Sequence, residues 1–433
     1  METTMISDFF KKNRLLIKGG TISILILLLL IPTAFVENLI RERQDRQKAA
    51  VDEISSKWSA KQTLTGPVLA VPYEEIMPVK GGSENVTTER MIYVLPDKLH
   101  ISASVNPEKR HRGIYEAMLY TADLTVTGQF STTFIQQLKL QPSAIRWDGV
   151  YICINIADPK GLKKDFQLQW KDHTEELNPA TISNSVMKEG FAAPVELSTR
   201  DTSIAFSTHL LLNGSEQLLF TPVGKETTVD LQSSWRNPSF TGSQLPETWQ
   251  INDRGFTAHW NNLFYTRNFP QAWQQGAVDL SSASFGVSLF IPVNAYQKTM
   301  RSVKYAVFCL LLTFAAFFLI ETTNKMRVHP VQYVLIGFAL VLFYTLLLSL
   351  SEYIGFNAAY CISALATTLL ITWFVKGLLK SSRLAILLMS IVILLYVYIF
   401  ILLQLQDYAL LLGSLGLFLM LAVIMHFSKK IQW

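Results

Sequence analysis

Apolar blocks about 20 residues long constrain this chain more than any other feature. A bilayer core needs about 20 apolar residues per helix. Six stretches meet that length, at roughly 16–36, 303–321, 331–350, 355–376, 384–403 and 408–427. Half of the 433 residues are hydrophobic and 16% are charged, too apolar for an ordinary soluble protein of this size. The sequence therefore predicts a membrane protein: a helical transmembrane bundle of six spans, with a segment of ordinary globular composition between the first span and the rest.

The first span follows Lys11, Lys12, Arg14 and Lys18. Its apolar core is too long for a typical signal peptide, and no small-residue cleavage site follows it, so it reads as a signal anchor with Pro32 as a candidate kink. Orientation comes from Lys and Arg asymmetry. The first span is basic on both sides, with Arg41, Arg43, Arg46 and Lys48 beyond it. The later loops decide: Lys325 and Arg327 lie in one, Lys376, Lys380 and Arg383 in another, and Lys429 and Lys430 in the tail, whereas "SEYIGFN" and "QLQD" carry no basic residue. The basic loops are assigned to the cytoplasm, which puts both termini inside. The expected order is a cytoplasmic N-terminus (1–15), a first helix (16–36), a helical stalk (41–62), a β-rich periplasmic domain (63–300), a five-helix membrane domain (303–427) and a cytoplasmic tail (428–433).

Residues 41–300 hold 25 Lys and Arg against 27 Asp and Glu, a net of −2, inside a chain whose total is +5. The basic excess belongs to the helix ends, and the outer segment offers no basic surface for nucleic acid. In "GFALVLFYTLLLSLSEYIGFNAAY" (337–360), Tyr344, Ser349, Ser351, Glu352, Tyr353 and Tyr360 interrupt an apolar run. Counting from Val331 places Ser351, Glu352 and Tyr353 in a tight outer turn, where ionisable and aromatic residues are cheap. Glu321, His329, Asp407 and His426 also fall at span ends, and spans two to six have no charge near their middles. An ion-coupled transporter usually needs one.

The stalk "RERQDRQKAAVDEISSKWSAKQ" sets Val51, Ile54 and Trp58 at helical spacing. After it the pattern changes to period two. Leu124, Val126 and Phe130 alternate with Thr125, Thr127 and Gln129; Ile152, Ile154 and Ile156 with Cys153 and Asn155; Ile204, Phe206 and Leu210 with Ser207 and His209. Turn signals such as "ADPKG", "LNGS" and "NDRG" separate the runs. The expected fold is all-β and antiparallel, sandwich-like, in one unit or two packed β subdomains. Seven of nine tryptophans lie in residues 41–300, enough to anchor a large core.

Catalytic signatures are missing: there is no G-x-S-x-G, H-E-x-x-H, Walker loop or C-x-x-C. His100, His111, His173, His209 and His259 form no metal-like pair, so neither a metal nor another cofactor is expected, and Cys153 reads as a lone strand residue. Ser185 and Lys188 share the S-x-x-K spacing of penicillin-recognising enzymes, but in a polar stretch with no companion motif; coincidence is the better reading. "RHRGIYEAMLY" (110–120) is the most distinctive outer motif. Gly113 after Arg112 suggests a turn with special backbone needs, followed by Tyr115 and Tyr120; a basic-aromatic patch there competes with a plain β-turn.

These stretches carry a resemblance. "LTGPVLAVPY", "VLPDKLHISA", "RHRGIYEAMLY", "LTVTGQF" and above all "HPVQYVLIGFALVLFYTLLLSLSEYIGFNAAY" resemble the CreD family of inner-membrane, cell-envelope integrity proteins over nearly the whole length. Tyr353 departs from the histidine expected after the Ser-Glu pair. The resemblance implies a non-enzymatic protein of the bacterial inner membrane, tied to envelope stress, to colicin tolerance and to a two-component regulatory system. The partners it implies are the lipid bilayer and envelope or stress-signalling proteins, and it supplies no catalytic residue. Arg112, Gly113, Tyr115, His329, Pro330, Gln332, Tyr333, Ser351 and Glu352 match its distinctive motifs and are the candidate functional residues. His329-Pro330 suits the first turn of span three. The competing expectation is a transporter or flippase subunit that uses the polar rim of 337–360.

Overall fold

The computed structural model describes residues 14–78, 85–180, 190–198, 200–274, 278–289, 295–324, 326, 328–405 and 408–428. Ser185, Lys188, Lys325, Arg327, Asp407, Lys429 and Lys430 lie outside them. The chain divides into two units, Met1–Lys48 with Val293–Trp433, and Ala49–Pro292.

The first helix, α1 (Arg14–Trp58), runs for 45 residues with Pro32 inside it. The sequence suggests a span and then a stalk reaching residue 62; the structure has one helix that ends at Trp58, with Ser59–Lys61 non-helical. The apolar run passes directly into a charged helix-forming stretch, where Arg46 pairs with Glu42 and Lys57 with Glu53 at i,i+4, so nothing stops the helix. Its length, about 67 Å, is more than twice a bilayer core of ~30 Å.

The unit that holds residues 1–48 of the chain also contains α2 (Ala295–Lys304), α3 (Ala306–Thr323), α4 (Pro330–Ile354), α5 (Phe356–Leu379), α6 (Ser382–Gln404) and α7 (Ala409–Ser428). Among the described residues, α1, α3, α4, α5 and α6 are long and apolar enough to cross a membrane, and the remaining expected span is the 20-residue helix α7. The β-rich segment was expected to reach residue 300, but Ala295–Met300 belong to α2. That helix buries Tyr296, Thr299, Ser302 and Val303 along one side. It is too short and too polar to read as a span, and the period-two pattern before it masks its start. A single residue, Gly355 at φ +77°, separates α4 from α5, a backbone region glycine enters without steric cost.

The β-rich unit follows the end of α1 with β1 (Gln62–Pro78), β2 (Asn85–Val94), β3 (Lys98–Arg112), β4 (Tyr115–Ser131) and β5 (Tyr151–Ile156). Among the described residues, one sheet of nine strands is built on β1, which pairs antiparallel with β2 and β5, and a second of eight strands is built on the β3–β4 hairpin. Side chains of β3 alternate buried and exposed from Lys98 to Asn106, the period of a half-buried strand. The pairing is not purely antiparallel. β1 runs parallel to Gln217–Phe220, and β3 runs parallel to Glu226–Ser233. Parallel pairs need long crossover connections, which local periodicity does not reveal.

One contiguous core joins the two sheets. Leu64, Val68 and Val71 of β1 pack in the same cluster as Leu99, Ile101, Leu124 and Val126 of the hairpin. The unit is therefore one two-layer sandwich rather than two β subdomains. Trp170 and Trp260 are among its largest fully buried side chains. Cys153 is buried along with Ile152 and Ile154, because β5 is covered on both faces.

Candidate functional site

In the β-rich unit, the "RHRGIYE" motif is the tip of the β3–β4 hairpin. Its register runs out to Arg112 opposite Tyr115. Gly113 takes φ +61°, the positive value that two-residue hairpin turns require at their first central position. Tyr115 is half-buried beside the turn. The tip meets the end of α1: Arg112 forms an ion pair with Glu53, and the Arg110 guanidinium lies 5.3 Å from the Trp58 ring centre. Lys163 approaches the same ring at 5.6 Å. Lys57 and Arg112 hold the Glu53 carboxyl below its ordinary range. These contacts are exposed and individually weak.

Just past α1 the chain is locked. Gln62 is fully buried, and its amide donates to Ser59 Oγ (2.7 Å), to the Asp158 carbonyl (2.9 Å) and to the Asn213 carbonyl (3.0 Å). Its own oxygen accepts from the Asp158 backbone N–H at 3.1 Å. The Asp158 carboxylate in turn accepts from the Ala60 N–H at 2.8 Å. A side chain at Gly161 would collide with the Asn213 carbonyl and Gln62.

In the membrane unit, the candidates His329, Pro330, Gln332 and Tyr333 gather at the start of α4. Pro330 takes the first helical position and His329 is the N-cap. The Val331 N–H donates to His329 Nδ1 at 3.4 Å, and the His329 N–H to Gln332 Oε1 at 2.9 Å. This is a reciprocal capping arrangement. It presents Tyr333, whose hydroxyl donates to Glu321 Oε2 at 2.8 Å. Glu321, at the end of α3, is only 1% exposed. Its Oε1 accepts from the Val328 N–H at 2.7 Å and from the Lys18 ammonium of α1. Lys18 also reaches the Val328 carbonyl at 3.3 Å.

Ser351 and Glu352 lie at the opposite end of α4. The Ser351 hydroxyl is buried and donates to the Leu348 carbonyl at 2.9 Å. The Glu352 side chain is 9% exposed, with Arg43 Nε of α1 at 3.9 Å. Tyr296 of α2 donates to Glu352 Oε1 at 2.9 Å. Of the three residues assigned to an outer turn, only Tyr353 is open, at 75% exposed; Ser351 and Glu352 are still in the last turn of α4, facing the bundle. Nearby, Lys298 donates to Gln404 (3.1 Å), and Gln404 donates to Asn357 (2.8 Å).

The two carboxylates thus grip the same helix. Tyr333 and Glu352 are separated along α4 by about 28 Å of helix rise, close to the ~30 Å of a bilayer core. Lys18 reaches the cluster at one end, and Arg43 the cluster at the other. Buried carboxylates met by cations and hydroxyls are electrostatically satisfied, so this arrangement clamps a helix. Neither cluster presents a nucleophile beside a free base. Sequence reasoning placed Glu321 at a span end but gave it no partner. The available signal was an acid inside "FFLIETT", since ionisable residues at membrane depth pair with one another. Among the described residues, no three His, Cys, Asp or Glu side chains come together as a metal site.

The family model described as inner membrane protein CreD matches residues 14–433. Inner membrane protein CreD of Escherichia coli strain K12 is 32% identical over 413 residues, covering 94% of this chain and 91% of that protein. Among solved structures, an M1 zinc metallopeptidase from Deinococcus radiodurans aligns over 39% of each chain at 10% identity, with a TM-score of 0.18. A likeness that weak says nothing about this chain's fold or activity.

Proposed function

The chain belongs to the CreD family of inner membrane proteins, and from that premise we propose that it is a non-enzymatic envelope protein whose β unit works on the periplasmic side. Both termini are then cytoplasmic, and the Glu352 cluster marks the outer interface and the Glu321 cluster the inner one. The role is support of envelope integrity or the envelope stress response, through contacts with other envelope or signalling proteins. The observation that carries this reading is the double fastening of α1, by Glu321 with Lys18 and by Glu352 with Arg43. It gives the bundle the character of a mount for one long helix.

The transporter reading draws less support. Of the polar groups in 337–360, Ser351 donates to Leu348, Tyr360 donates to the Tyr396 carbonyl at 2.8 Å, and Glu352 is engaged by Tyr296 and Arg43. A strain lacking the protein tests the proposal when complemented with the full chain and challenged with detergent or colicin. The expected result is a changed sensitivity that the full chain reverses, with no turnover of envelope glycan, peptide or lipid by the purified protein. Unchanged sensitivity, or measurable turnover, would contradict it.

A further inference from the structure

One edge of the β-rich unit is left open. Among the described residues, the strand Thr248–Asn252 pairs with Gly255–Leu263 on one side and has no strand on the other. Its five residues, "TWQIN", are all exposed and include no charge, proline or glycine. The other edges are blunted in ways usual for natural sheets. His173–Glu176 carries two acids, Asn178–Ala180 contains Pro179, and Pro238–Gly242 begins with proline and ends with glycine. Ala272–Gln274 is only three residues long, and its Trp273 is buried.

The open strand also shows large apolar side chains to solvent. Trp249 is 54% and Ile251 50% exposed, and Leu245, just before the strand, is 71% exposed. Trp249 lies opposite Ala258, and Ile251 opposite Phe256. Both of those partners are buried, so Trp249 and Ile251 occupy the core side of the strand. The Trp249 ring centre is 6.2 Å from that of Phe240. Thr248 and Gln250 stand opposite His259 and Thr257 on the polar side. A strand added at this edge would continue the core on one side and a polar face on the other.

The strand is complementary to itself. Two copies set antiparallel about Gln250 place Thr248 opposite Asn252 of the second copy, and Trp249 opposite its Ile251, each twice over. Apolar then meets apolar, polar meets polar, and the two Gln250 amides meet on the axis. Aromatic side chains opposite β-branched ones stabilise antiparallel pairs. Beyond the strand, Glu247 of one copy approaches the Asp253–Arg254 turn of the other, where Arg254 offsets Asp253. Because both copies use the same patch, the pairing closes at two chains and leaves neither of these edges open.

We propose that Thr248–Asn252 is a pairing edge for a second copy of this chain, joined as an antiparallel strand pair with its two-fold axis at Gln250. Cysteine cross-linking in membranes carrying the full chain tests it, with Cys153, Cys309 and Cys361 replaced and copper phenanthroline as oxidant. Directly opposed residues of such a pair have Cα atoms about 5 Å apart, within disulfide reach. Gln250→Cys is therefore expected to give a disulfide-linked dimer. Thr248→Cys lies about 13 Å from its own counterpart and is expected to give none, whereas co-expressed Thr248→Cys and Asn252→Cys chains link to each other. Ile251→Lys added to Gln250→Cys puts a charge on the joined apolar side. It is expected to abolish the dimer while the unfolding midpoint of the purified chain stays that of its parent. The contrast between 248 and 250 stands on its own should Ile251→Lys fail to fold. No link at 250, equal linking at 248 and 250, or a dimer that a folded Ile251→Lys chain retains would overturn the proposal. An adduct at 250 to a different protein would overturn it too, by giving the edge to another partner.

Discussion

Glu321 shows how much one buried charge organises. It closes α3, accepts from a loop N–H, and draws Tyr333 of α4 and Lys18 of α1 to one point. Removing one partner of a buried pair strands the other. Glu321→Ala is therefore expected to cost about 3–5 kcal/mol in unfolding measured in nanodiscs, and Glu321→Gln, which keeps an acceptor for Tyr333, clearly less. Cys153 makes the opposite prediction. Burial pushes its thiol up to about 12, so it stays protonated at neutral pH and should resist maleimide until the β unit unfolds. Glu53 carries a pH effect. Lys57 and Arg112 depress its folded value below the ordinary 4.5. Its stabilising contribution is thus fully present above that ordinary value and fades as pH falls through the depressed one. Acid titration of unfolding should show the gap between the wild type and Glu53→Gln closing as pH falls below the ordinary 4.5.

Among the elements, the junction after α1 outweighs the hairpin contact next to it. Gln62→Leu would leave the Asp158 and Asn213 carbonyls and the Asp158 N–H without their partner; chemical denaturation is expected to show a loss of about 2–4 kcal/mol. Arg112→Ala removes an exposed, solvent-screened ion pair and is expected to leave the denaturation midpoint nearly unchanged. The sequence made the spans and several strands readable, because hydropathy over 20 residues and period-two alternation over six or more are local signals. Leu124, Val126, Phe130, Ile204, Phe206 and Leu210 all face the core as their alternation suggests. It also showed Gly113 as a turn residue. It did not show α2, whose ten residues are too few for a span and follow a strand pattern. Nor did it show the two parallel pairings, since these depend on contacts between distant segments.

For the whole molecule, the same division holds for the site. His329, Pro330, Gln332, Tyr333, Ser351 and Glu352 could be picked out as residues of distinctive motifs, but not what they do: their partners Lys18, Arg43, Tyr296 and Glu321 come from other helices. We propose one long helix fastened near both ends of α4, with the β unit on the periplasmic side. Its most direct test is single-cysteine labelling in intact cells with a membrane-impermeant maleimide, using Tyr353→Cys and Asn324→Cys in a background free of native cysteine. The account predicts prompt labelling at 353 and labelling at 324 only after the cells are permeabilised. Labelling at 324 with protection at 353 would place the β unit in the cytoplasm and contradict it.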